Sequence, residues 1–355
     1  MQNEGWASKR IVVLLMRLLP ILSLVVPITM LYFIGPDYFE KLWQGRTFEL
    51  FFLWLCFMEL ILNWEELKNE KIVRAKSLRS AVYIVSLLLP TIYVVAANYF
   101  GLNTAIFRLA TSFNIEEHWA LLIPLSTEYF VFAVFFASIV LLAYGFRGLK
   151  NYSLPIVFAG AIGVLYTIDN VYHWGTFTPF QILVTPTTWL ASKVLGLMGY
   201  NTQMAIASSS EYGTYPTLFV QNAKGWAGFG IAWPCAGIES LVIYSVVILL
   251  FLSRSGIPLW QRISYFVGGG IATYFINVLR IATLFMIQIN TGGGYALTAQ
   301  AQQFHDYYGM LYSITWIVSY PLIIIGSRTL WGMLRKPAVS LKDSSTRLVG
   351  VDLPR

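Results

Sequence analysis

Long apolar runs separated by short polar and basic segments set the pattern of this chain. A helix that crosses a bilayer needs about 20 mostly apolar residues. Eight runs meet that need: Ile11 to Ile34, Thr47 to Trp64, Ala81 to Tyr99, Trp119 to Tyr144, Leu154 to Tyr172, Ile238 to Leu252, Ile263 to Ile289 and Tyr307 to Ile325. A ninth run, Thr178 to Tyr200, differs in holding Pro179, Pro186, Lys193 and several threonines. The longest stretch without a spanning run extends from His173 to Pro234. Within it, the β-prone runs Gln203 to Ser208 and Thr217 to Gln221 flank the turn residues Ser209, Ser210 and Gly213, which predicts a small hairpin.

Composition agrees with a membrane protein: 57% of the 355 residues are hydrophobic and 12% are charged, against about 25% charged in soluble domains. The net charge of +7 does not imply nucleic acid, because charge in such a chain is first sorted by side of the membrane. With a cytoplasmic N-terminus and Thr178 to Tyr200 lying at the surface, seventeen of the 24 lysines and arginines fall on the cytoplasmic side. Making that ninth run a span would destroy the bias. The expected architecture is therefore an all-α polytopic membrane protein of eight transmembrane helices with both termini inside. An interfacial or re-entrant helix and an extracytoplasmic β-hairpin precede the sixth span. The first run lacks a small-residue cleavage site and reads as a retained helix. The chain divides into five N-terminal helices (1–172), an extracytoplasmic interfacial helix and hairpin (173–234), a three-helix core (235–335) and a polar cytoplasmic tail (336–355). It has no internal repeat and no glycine-rich phosphate loop. Its two cysteines, Cys56 and Cys235, predict no disulfide framework.

Candidate chemistry gathers in the last third. In Gly230-Ile231-Ala232-Trp233-Pro234-Cys235-Ala236-Gly237-Ile238-Glu239-Ser240 a proline opens a helix, as suits a residue without an amide proton. Cys235 follows it in the first turn, where the helix dipole favours thiolate; filling a helix start with a small soft side chain is the alternative role. Cys56, inside an apolar run, reads as a buried structural thiol. Arg280 lies well inside the seventh span, where an arginine must face a partner or an aqueous cavity. Asn277 is one turn earlier on the same face. His305 opens the eighth span at the same depth as Cys235 and could act on its proton, whereas Asp306, the next residue, should point away. Thiolate, imidazole and guanidinium together make chemical sense as an acyl-transfer site, with Arg280 stabilising an oxyanion or positioning substrate.

These motifs carry a resemblance. Cys-x-Gly-Ile-x-Ser at Cys235 to Ser240, Asn-x-x-Arg at Asn277 to Arg280 and His-x-x-x-Gly at His305 to Gly309 are similar to the three signature motifs of the exosortase and archaeosortase family, in the same order. The resemblance covers Gly230 to Ile325. Ala236 and Glu239 depart from the family's more usual serine and basic or polar residues. The run Cys-Ala-Gly-Ile-Glu-Ser looks more like archaeal members, in particular those of ammonia-oxidising archaea.

The resemblance implies a membrane-embedded cysteine protease and transpeptidase with Cys235, Arg280 and His305 as catalytic residues. It implies cleavage of C-terminal sorting signals of secreted proteins through a thioacyl-enzyme, with a membrane lipid as acceptor. The partners are then secreted proteins ending in a short motif, a hydrophobic helix and a basic tail. The location is the plasma membrane with the site facing outward, and no cofactor or metal is expected. Supporting positions are Glu239, Asn277, Asp169, His173, Gly237 and Ser240. Glu239 could pair with Arg280, and Asp169 and His173, four apart, read foremost as a local pair. Glu59 and Glu128 are expected to be buried protonated or against Arg280 or Arg17. Two other readings share the composition. An anion carrier using Arg280, Glu128 and Asp169 would need inverted halves with paired broken helices, and Thr178 to Tyr200 has no counterpart in the first half. A lipid-modifying transferase without protease activity would use the same outer site.

Overall fold

The computed structural model describes residues 2–41, 44–64, 78–172, 178–209 and 213–335. His173, expected near the site, lies outside them. The helices are α1 (Gln2–Ile34), α2 (Asp37–Glu40), α3 (Thr47–Leu62), α4 (Leu78–Tyr99), α5 (Leu102–Ser112), α6 (Glu117–Ala120), α7 (Ile123–Asn151), α8 (Ser153–Val171) and α9 (Thr178–Leu197). Strands β1 (Asn201–Ser209), β2 (Gly213–Asn222) and β3 (Gly225–Gly230) follow. A 3₁₀ turn (Trp233–Ala236), α10 (Ile238–Arg254), α11 (Leu259–Thr291), α12 (Ala299–Gln303), a π-helical turn (Phe304–Tyr308) and α13 (Gly309–Arg335) complete the fold.

Six helical stretches among the described residues are long and apolar enough to cross a membrane: Arg17–Ile34, Ser80–Tyr99, Glu117–Asn151, Ser153–Val171, Leu259–Thr291 and Ala299–Trp331. The chain is a multi-pass membrane protein. The runs expected from Thr47 and Ile238 fold as shorter helices, of 16 and 17 residues. Asn63, capped back onto the Glu59 carbonyl, ends α3, and α10 cannot begin before the left-handed Gly237.

The expected two-stranded hairpin is a three-stranded antiparallel sheet in the order β1-β2-β3. Register runs from Asn201 opposite Gln221 to Ser209 opposite Gly213, and from Asn222 opposite Gly225 to Thr217 opposite Gly230. The third strand is the glycine-aromatic stretch, which lacks the β-branched residues that usually mark a strand. Its small positions are needed because a side chain at Gly228 would strike Phe219 and one at Gly230 would strike Tyr215. The third strand also makes the sheet more than a marginal ribbon.

Three buried clusters hold the molecule together. One joins α1, α3, α4, α7 and α8 through residues such as Leu24, Phe52, Phe136 and Phe158, with Phe52 and Phe136 packed edge to face at 5.6 Å. A second lies beneath the sheet and against α9 and α11, with Val184, Leu218, Trp233 and Phe285. The third joins α10, α11 and α13 around Tyr244, Ile248 and Tyr320.

The N-terminal cluster also encloses charge, and its pairing differs from expectation. Glu128 meets neither Arg280 nor Arg17; its carboxylate accepts two bonds from Arg46, at 2.6 and 3.0 Å. The segment before α3 folds inward, its Arg46 amide donating to the Tyr38 carbonyl, and so carries a loop arginine into the bundle. Arg17 instead lies over the Trp64 ring, and Glu59 accepts from Asn63 Nδ2 at 2.7 Å.

Candidate active site

The 3₁₀ turn delivers Cys235 between the end of the sheet and the first turn of α10, where it is half-buried. Gly237 makes this junction possible. Its φ of 84° is left-handed, and an added Cβ would lie 2.7 Å from Asn277 Cγ, so this position combines two demands that only glycine meets cheaply. Asn277 uses the space to donate its Nδ2 to the Cys235 carbonyl at 2.8 Å.

One turn along α11, Arg280 donates an Nη2 hydrogen to the His305 carbonyl at 3.1 Å. Its shaft lies on Gly309, where a Cβ would come 2.7 Å from Arg280 Nε. Asn277 and Arg280 thus clamp the backbones of the cysteine and the histidine from a single helix face. Among the described residues Arg280 forms no ion pair. Among the described residues none of its guanidinium donors is committed to a carboxylate.

His305 stands beside the Cys235 side chain, near enough to favour its thiolate, while its Nδ1 faces Asp306 Oδ1 at 2.9 Å. Nδ1 donating to the carboxylate leaves Nε2 for the sulfur. Asp306 is held in turn by Gln302 Nε2 at 2.6 Å. Burial works against a thiolate at Cys235, but the neighbouring His305, aided by the charge of Arg280, more than offsets it. The thiol is held below its ordinary value. What results is a nucleophile, a base with an orienting carboxylate and a cation beside them.

A family model described as transmembrane exosortase matches residues 43–320. The chain belongs to that family. The match takes in the N-terminal bundle as well as the stretch from Gly230 onward that carries the motifs. Neither the curated proteins nor the solved structures contain a match to this exosortase-family chain.

Within the exosortase-family site, Cys235, His305, Arg280, Asn277 and Gly237 come together. Glu239 lies within electrostatic range of Arg280, Asp169 and His305 but is not ion-paired with Arg280 among the described residues. Ser240 is buried in the first turn of α10. Asp169, buried near the end of α8, accepts from Gln44 Nε2 at 2.7 Å, and Gln44 also donates to Asn170 Oδ1 at 3.0 Å.

Asp306 is the correction at the site. The expectation that it points away assumed α-helical spacing, whereas residues 304–308 form a π-helical turn. The wider turn brings consecutive side chains closer in direction, and the carboxylate swings onto the ring of its neighbour. Its one legible signal was adjacency to His305. Gln302 carried a second signal in its spacing of four from Asp306.

Proposed function

We propose that this chain is a cysteine transpeptidase of the exosortase family that cleaves C-terminal sorting signals from secreted proteins. The observation that carries the reading is the meeting of Cys235 and His305, their backbones held by Asn277 and Arg280 from one helix and the imidazole faced by Asp306, with the Cys235 thiol held below its ordinary value. In this reading eight segments cross the plasma membrane with both termini inside, α3 and α10 included. The sheet and α9 lie outside over the site, the arrangement that the distribution of basic residues favours.

The Cys235 thiolate attacks the scissile carbonyl carbon, and the carbonyl electron pair moves to oxygen. Arg280 meets that oxyanion with the N–H groups it does not spend on His305. Collapse of the intermediate expels the amine of the C-terminal segment, which takes its proton from the His305 imidazolium, and a thioester remains on Cys235. A lipid amine or hydroxyl then attacks the thioester, giving its proton to His305 as the thiolate leaves. Asp306, with Gln302 behind it, is a positioning group that selects the useful tautomer of His305.

The test is incubation of the full-length protein in proteoliposomes with a secreted protein that ends in a short motif, an apolar helix and a basic tail. Mass spectrometry should show a substrate shortened at its C-terminus and joined to a lipid, with no such product from Cys235→Ala. Cleavage by that variant at the wild-type rate would sink the proposal. Lipid attachment without shortening would reveal a transferase that is not a protease.

A further inference from the structure

The edge of β3 runs into the site with its backbone only partly paired. Ile231 donates its amide to the Pro216 carbonyl at 2.8 Å, so in this antiparallel register the odd-numbered residues of β3 face β2 and the even-numbered ones face the outer edge. That outer edge begins occupied. Gly294 donates to the Trp226 carbonyl at 2.8 Å and accepts from the Gly228 amide at 3.2 Å, forming a one-residue parallel bridge. Tyr295 then packs its ring on Trp226, at 4.8 Å between centroids, and the loop turns away. The next two groups along the edge, the Gly228 carbonyl and the Gly230 amide, have no hydrogen-bond partner among the described residues. They stand between the bridge and Cys235. The loop that makes the bridge leads through α12 to His305.

We propose that the free edge of β3 is the cradle for an extended peptide substrate, which adds as a short parallel strand to the Gly228 carbonyl and the Gly230 amide. One substrate residue donates its N–H to Gly228 and accepts at its carbonyl from Gly230, repeating the Gly294 exchange one step nearer the nucleophile. Pairing through main chain alone is the general logic of strand addition. Of the two glycines, Gly228 is buried and Gly230 exposed, and neither presents a side chain to obstruct it. The parallel sense sets polarity: β3 runs toward Cys235, so the substrate residues before the scissile bond rest on the edge and the segment beyond it continues past Cys235. The acyl half therefore stays paired while the thioester waits for its acceptor, and the leaving half is free to depart. This inference rests on the transpeptidase reading of Cys235.

A test independent of any particular sorting motif uses an acetyl-tetra-alanyl acyloxymethyl ketone, which alkylates a cysteine nucleophile held beside a bound peptide. Each alanine is replaced in turn by lactate, an ester in place of an amide that removes one N–H and little else. The rate of Cys235 alkylation in the full-length protein is read by mass spectrometry, with iodoacetamide as the control reagent. Losing one such bond of typical strength should slow alkylation about five- to tenfold. Substitution at the residue donating to Gly228 should produce that loss, while its immediate neighbours change by less than about twofold. Equal effects at all positions, no effect at any, or a rate matching that of an acetyl ketone without the alanines would overturn the strand cradle. Failure of the underlying reading looks different, because Cys235 would then resist iodoacetamide itself at neutral pH.

Discussion

Each half of the molecule encloses a cysteine and sets an arginine near carboxylates, Arg46 in one and Arg280 in the other, and the two halves treat them oppositely. In the N-terminal bundle Cys56 is fully buried and Arg46 is consumed by Glu128 in a two-pronged ion pair at 2.6 and 3.0 Å, with Glu49 behind it at 3.9 Å. In the C-terminal core Cys235 is half-buried, and Arg280 touches a backbone carbonyl where Arg46 touches an acid. A guanidinium whose fork is filled by a carboxylate is a structural part. One that is held in place by a carbonyl and a glycine shelf keeps its charge for an incoming group.

The two cysteines give the largest test of this contrast. Cys235→Ala should reduce cleavage below about one thousandth of wild type, and Cys56→Ala should leave cleavage near wild type while lowering thermal stability slightly. Iodoacetamide at neutral pH should label Cys235 and spare Cys56 in the folded protein. Equal labelling of both would erase the distinction between the halves.

The arginines come next, and they should separate stability from activity. Glu128→Gln leaves Arg46 buried against a neutral partner, and breaking such a pair typically costs about 3–5 kcal/mol. The expected result is a large fall in melting temperature in detergent, with the specific activity of the surviving folded fraction retained. Arg280→Lys should do the reverse. It should leave melting nearly unchanged and lower kcat/KM by roughly a hundredfold or more, because lysine lacks the planar fork that faces the oxyanion. If Arg280→Lys lost stability in place of activity, both arginines would be structural and the contrast would be false.

A smaller effect is expected at Asp306. The Cys235 thiol is held below its ordinary value by His305 and Arg280, so its thiolate persists at neutral pH and is lost as pH falls through that lowered value. Asp306→Asn removes the negative charge facing the imidazole and weakens the charge that His305 presents to Cys235. The thiol then returns toward its ordinary value. The acid limb of kcat/KM, and of iodoacetamide labelling, should move to higher pH, with about a tenfold loss of rate near neutrality. An unmoved limb would confine Asp306 to the surface of the helix.

Which parts of this picture were legible in sequence follows from the range of the forces involved. Apolar length and the order of the three motifs are local properties, so the helical membrane class and the meeting of Cys235, Arg280 and His305 could be read directly. Gly237 was visible as a motif letter, but its reason, the close approach of Asn277, is a contact between distant segments. The Arg46 to Glu128 pair spans 82 positions and depends on a loop folding inward, which no periodicity reveals. The third strand was obscured because its glycines answer to Phe219 and Tyr215 and not to strand propensity. Asp306 was misjudged because a single π-helical turn changes direction without leaving a mark in composition.

Glu239 supplies the finest probe of the contrast, since it is the C-terminal core's nearest analogue of Glu128. The carboxylate of Glu239, one turn from Cys235, could pair with Arg280; it stands within electrostatic range of it, and among the described residues the two form no ion pair. Arg280 is held instead by the His305 carbonyl and by its seat on Gly309. Removing the charge of Glu239 should therefore leave the guanidinium where it is. Glu239→Gln, which keeps the shape of the side chain, should change kcat/KM by less than about threefold, whereas a gripping carboxylate would give a loss approaching that of Arg280→Lys. A large loss would mean that Arg280 depends on an acid after all, as Arg46 does, and would turn the two halves from opposites into variants of one design.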